Sequence, residues 1–202
     1  MGRLSAEKKE AKKERIIKKS MELFEENGYH ATKVETITKA LGISKGNFYT
    51  YFNSKEEVLY EILDIMKEQR IDFLHEMDVD KDPKEVLRDF AESHRHFFLK
   101  YLKRVNLQNI EVFLKDKKII VHIEEIQDIL IEFLQKNVVE RMEGSKNKGY
   151  NFRFIAEFLF ILMVGLFLDT CFTEELELKK KYEMTMEEKI EQITEFINNT
   201  LK

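Results

Sequence analysis

Residues 44–55 of the chain read SKGNFYTYFNSK. Hydroxyl, amide, phenol and ammonium groups crowd together here without one carboxylate. Such a set suits hydrogen bonding and charge pairing with a polyanion, whose phosphate oxygens and base edges accept from these groups. It does not suit catalysis, which needs an acid, base or nucleophile held beside its partner. Groups that do such work are scattered elsewhere. His94 and His96 stand two apart, so a helix points them to different sides, and His30, His75 and His122 have no local ligand partners. The acid pairs Glu124-Glu125 and Glu174-Glu175 read as solvated helix faces. No nucleophile elbow, phosphate-cradling glycine loop or zinc-protease helix occurs. Cys171 is the only cysteine, which leaves neither disulfide nor thiolate cluster and fits a reducing cytoplasm. The expectation is a protein that is not an enzyme and has no metal and no cofactor.

Charge points the same way. Residues 1–55 hold 12 Lys/Arg and 7 Asp/Glu, a balance of +5, whereas the rest holds 22 and 31 and the whole chain carries −4. A basic head on an acidic body suggests that the head meets a polyanion. The start of the chain has no apolar signal core, so export is not expected. The most apolar segment, 154–172, has an uncharged run of only 158–168. A bilayer span needs about 20 apolar residues, so no membrane partner is expected.

The elements that position residues 44–55 are helices. Among 202 residues there are one proline and seven glycines, and Lys, Glu, Leu, Ile and Phe abound. No alternating β-branched run suggests a sheet, so the fold class is all-α. A first helix is expected over 5–26, with a charged extension before Arg15 and Gly28 as its left-handed cap. Thr32, with Glu35 three residues on, reads as a capping box for a short helix to Leu41, with Val34, Ile37 and Leu41 inward. Gly42 breaks that helix. Ser44 caps the next, expected over 45–51, and Ser54 caps a fourth, expected to reach His75. Asp82-Pro83 opens a fifth. Further helices are expected at 107–114, 118–142, 152–172 and 186–201, with a loop at 144–149.

Two short helices joined by Gly42-Ile43 are what a helix-turn-helix requires. In the second, Phe48 and Phe52 anchor inward at i,i+4, leaving small and polar residues outward, the layout of a helix lying in the major groove. Asn47 can bond adenine through its amide.

The block resembles the tetracycline-repressor (TetR) family of bacterial regulators. The resemblance rests on Phe24, Gly28-Tyr29, Ala31-Thr32, Ile37, Gly42-Ile43-Ser44-Lys45-Gly46, Phe48-Tyr49, Tyr51-Phe52 and Ser54-Lys55-Glu56, ungapped from Gly28 through Lys55. It implies that Thr32 bonds a phosphate, and that Ser44, Lys45, Gly46 and Asn47 face DNA. It implies too that Tyr49 and Tyr51 contact the backbone and Lys55 holds a flanking phosphate. Thr38, Leu41 and Thr50 depart from the usual family residues. The division implied is 1–53 for DNA binding and 54–202 for effector binding and dimerisation.

In the second part, Phe90, Phe97, Phe113, Phe133 and Phe158, with His94, Tyr101 and Gln108, are candidates to line a cavity for an apolar or aromatic effector. An ordinary aromatic core is the plainer reading of each alone. The apolar helix over 152–172 needs cover on two sides. Phe160, Val164, Gly165 and Leu168, with Ile190, Ile193 and Ile197 of the last helix, are the candidates for a homodimer interface. The resemblance implies a repressor that binds a palindrome in double-stranded DNA as a homodimer and is released by its effector. A helix-turn-helix regulator without an effector, acting as an activator or a partner-controlled adaptor, is the alternative.

Overall fold

The computed structural model describes residues 2–101, 115–142, 149, 151–175 and 184–200. Its described residues form eight α-helices and no strand: α1 Gly2–Asn27, α2 Val34–Leu41, α3 Lys45–Tyr49, α4 Lys55–Glu76, α5 Pro83–Tyr101, α6 Lys117–Asn137, α7 Phe152–Glu175 and α8 Met186–Thr200. A 3-10 turn, Val139–Arg141, follows α6. The all-α class stands. The helix expected at 107–114 and most of the loop expected at 144–149 lie outside the described residues.

The charged start of the chain continues α1 to Gly2, because Lys, Glu and Ala hold a helix as well as any residues do. α1 ends where Gly28, at φ 80°, donates its N–H to the Phe24 carbonyl (3.0 Å). Gly42, at φ 65°, ends α2 in the same way. Ser44 caps α3 as expected, its Oγ accepting from the Asn47 N–H (3.1 Å).

Two expectations change. Lys33, not Thr32, is the N-cap of α2, and it makes no side-chain cap. Thr32 is fully buried, and its hydroxyl donates to the Gly28 carbonyl (2.8 Å) with that of Leu23 at 3.1 Å. It therefore satisfies carbonyls at the end of α1, and no capping box forms. α6 stops at Asn137, and Arg141 turns back to donate to the Lys81 carbonyl (2.7 Å).

By packing the chain separates into two units. One comprises Met1–Arg70 with Arg104–Ile123, the other Ile71–Lys103 with Glu124–Lys202. The core of the first gathers Ile16, Ile17, Phe24, Tyr29, Ile37, Phe48, Phe52, Val58, Leu59, Ile62 and Ile119. Its last member comes from α6. Polar bonds fix the start of α6 against α4. Tyr60 donates to Asp116 Oδ2 (2.7 Å), and His122 Nε2 lies 3.0 Å from Asp64. The core of the second unit centres on Val86, Leu87, Phe90, Leu130, Leu134, Leu159, Met163 and Phe167.

The Tyr60 hydroxyl holds the Asp116 carboxyl below the ordinary value, and Asp116 pushes the phenol up to about 12. A depressed carboxylate contributes stability above its unfolded titration, and the contribution disappears as pH falls through the folded one. Tyr60→Phe is therefore expected to raise the Asp116 titration and to move the onset of acid unfolding to higher pH. Carboxyl-carbon NMR and circular dichroism across an acid titration check this; an unmoved Asp116 titration would refute it.

Candidate nucleic-acid interface

α3 is positioned from inside. Phe48 is wholly buried, its ring 5.9 Å from that of Phe52 and edge-on to Tyr49 at 5.5 Å. The short helix needs such anchors, since one and a half turns are not stable alone. With Phe48 inward, Ser44, Lys45, Gly46, Tyr49 and Thr50 are exposed and Asn47 is half-buried. Tyr49 leaves 51% of its surface open, unusual for a phenol that merely packs. Gly46 would admit a Cβ, with only Ser44 Oγ at 3.9 Å. Its lack of a side chain is thus not demanded by the fold; it clears the surface of α3.

The charged residues are committed in ways their spacing did not disclose. Lys45 pairs with Glu35 of α2, and both are exposed. Lys55 donates to the Tyr29 carbonyl (2.6 Å) with its ammonium 4.0 Å from the Tyr29 ring centre. Burial pushes its amine below the ordinary value. Tyr29 in turn donates to Glu56 (3.2 Å). Tyr51 is half-buried and packs on the first core. Thr38, a departure from the family pattern, is buried with its hydroxyl on the Glu35 carbonyl (3.1 Å). Thr50, another, bonds the Gly46 carbonyl (3.0 Å). A surface groove of about 280 Å³ runs beside α3, lined by Lys12, Arg15 and Ile16 of α1, Leu41, Ile43, Ser44 and Asn47. Lys12 and Arg15 escaped the sequence reading; their i,i+3 spacing on α1 was the available signal.

In the second unit the aromatic candidates partly converge. Phe90 is fully buried and stacks on His94 (6.0 Å) and Phe133 (5.5 Å). His94 is buried too, with the rings of Phe160 at 5.3 Å and Phe167 at 5.8 Å. Phe97 is half-buried, Tyr101 ends α5, and Phe158 is 46% exposed. Gln108 and Phe113 lie outside the described residues.

Of the dimer candidates, Phe160, Ile190 and Ile197 are buried in the chain's own second core. Val164, Leu168 and Ile193 are half-buried and Gly165 is exposed. The most exposed apolar side chains are different ones: Phe154 at 63% and Ile161 at 65% on α7, and Phe196 at 64% on α8. Among the described residues no group of three His, Cys, Asp or Glu is arranged for a metal, and no helix is long and apolar enough to cross a membrane.

Residues 16–62 match the family model described as bacterial regulatory proteins, tetR family. The chain is 42% identical over 80 residues to an uncharacterized HTH-type transcriptional regulator, YerO, of Bacillus subtilis; the match covers 38% of this chain and 28% of that protein. It is 34% identical over 74 residues to the fatty acid metabolism regulator protein of the same organism, covering 37% of each. The alignments thus span only about a third of the curated relatives. The fold likeness is wider. The transcriptional regulator FadR of Bacillus subtilis, solved with stearoyl-CoA, superposes with a TM-score of 0.63 at 21% identity, covering 93% of this chain and 96% of that one.

Proposed function

We propose, on the premise that residues 16–62 match the tetR-family model, that the chain is a TetR-family transcriptional regulator and a dimeric repressor. It binds a palindromic operator through two copies of α3 and is released by an apolar or aromatic small molecule. In this reading residues 1–53 bind DNA and 54–202 hold the effector and the dimer contact. The carrying observation is α3 itself: Phe48 wholly buried, and Ser44, Lys45, Gly46 and Tyr49 all presented outward.

Roles divide accordingly. Asn47 and Ser44 reach base edges, Gly46 lets the backbone approach, and Tyr49 donates to phosphate. Glu35 neutralises Lys45 until a phosphate replaces it, so this contact trades one ion pair for another. Thr32 and Lys55 support the interface from within, since their donors already serve the Gly28 and Tyr29 carbonyls. The aromatic surroundings of His94 support an apolar effector, and the acyl chain of the stearoyl-CoA bound in the FadR structure has that chemistry. Phe154, Phe158 and Ile161, spaced i, i+4, i+7, give α7 an exposed apolar stripe that a second copy would cover.

The full chain should select one palindrome from a random duplex library. It should bind that duplex at least about 10³-fold more tightly than unrelated DNA, with log affinity falling linearly in log salt. Selection of no sequence over background would reject the reading.

A further inference from the structure

The cations nominated by the helix-turn-helix pattern already have partners within the chain, Lys45 with Glu35 and Lys55 with the Tyr29 carbonyl. On α1, Lys13 pairs with Glu61 (2.7 Å) and Lys19 with Glu22. Lys12 and Arg15 differ. Both are exposed, and neither side chain makes an ion pair or hydrogen bond with another described residue. Both line the groove beside α3, with Ser44 and Asn47 on its far side, and no carboxylate contributes to its wall. A groove with two uncommitted cations, two hydrogen-bonding side chains and no acid is an anion-accepting surface. The same Ser44 and Asn47 face the duplex in the function proposed above, so an anion seated there belongs to the DNA strand.

We propose that α1 carries a second DNA-contact element, in which Lys12 and Arg15 grip backbone phosphates next to the base-reading residues of α3. Arg15 presents a planar fork to two phosphate oxygens, and Lys12 a point charge one turn away on the same face. Ile16, Leu41 and Ile43 line the rest of the groove and offer the two cations no acceptor side chain. The contact positions α3 in the groove and reads no base.

The inference rests on the DNA-binding reading, and the test separates the two. The full-length Lys12→Ala/Arg15→Ala variant is compared with wild type and with Lys84→Ala, a half-buried control on α5. Binding to the library-selected duplex and to unrelated duplex is followed across salt. The salt slope should become shallower by about 0.9 for each lost phosphate contact, so by about 1.8 per protomer. Affinity should fall for both duplexes by similar factors, with the selected sequence and the thermal midpoint unchanged. Arg15→Lys, which keeps the charge, should retain most of the slope. A double variant with the wild-type slope overturns the inference while leaving the DNA-binding reading intact. So does saturable binding of inorganic phosphate to the free protein that the variant abolishes with the slope unchanged. Wild-type protein that selects no DNA sequence overturns the parent reading instead.

Discussion

Phe48→Ala is expected to destabilise the first packing unit by about 3–5 kcal/mol, the cost of emptying a buried phenylalanine site. Phe48 has no exposed surface and holds a five-residue helix that has little stability of its own. A whole domain holds only about 5–15 kcal/mol of stability, so most of the margin would go. The chain has no tryptophan, so segment-resolved hydrogen exchange is the suitable measurement. Protection should be lost across 34–52. A loss below about 1 kcal/mol would refute this anchoring role. The neighbouring Tyr49→Ala makes the contrast. With half its surface open, it should shift stability by no more than about 0.5 kcal/mol, yet weaken binding to the selected duplex.

Ile161→Glu should convert the proposed dimer to monomer. At 65% exposed, position 161 costs the single chain little when it becomes charged. Across a two-fold interface the same change sets two carboxylates in an apolar contact, where unpaired charge costs several kcal/mol. The dimer dissociation constant should rise at least about 10²-fold on that cost. Affinity for the palindrome should fall with it, because two recognition helices bind as one unit only while joined. Sedimentation velocity over a concentration series measures this directly. An Ile161→Glu protein that sediments as wild type would show that the α7 stripe is not the contact.

Local chemistry was the legible part of the sequence. The glycines at 28 and 42 stop helices by taking positive φ, Ser44 caps α3, and Asp82-Pro83 opens α5, with Asp82 Oδ1 accepting from the Lys84 N–H (2.9 Å). Each signal lies within a few residues of its effect. What was not legible depends on distant partners. The inward turn of Thr32 is set by the end of α1, and the commitment of Lys55 by a carbonyl 26 residues away. α7 failed for another reason. It is apolar nearly all round, so periodicity gives it no phase. Spacing could not tell that Leu159, Phe160, Met163 and Phe167 turn inward while Phe154, Phe158 and Ile161 turn out. Phe158 and Phe160 therefore have opposite exposure from the one expected of a pocket residue and an interface residue.

The presence of Ile119 in the first core has a consequence for the order in which the chain can fold as it is made. Synthesis runs at roughly 5–20 residues per second, so Ile119 emerges roughly 3–11 s after Ile62. Until then the α4 side of that core lacks its last apolar partner, and Tyr60 and Asp64 lack Asp116 and His122. The core of the nascent head is completed only when a piece of the helix in the next stretch of chain arrives. Its maturation is therefore paced by translation through residue 123, and slow codons between 62 and 119 should lengthen the interval in which it is exposed to aggregation and proteolysis.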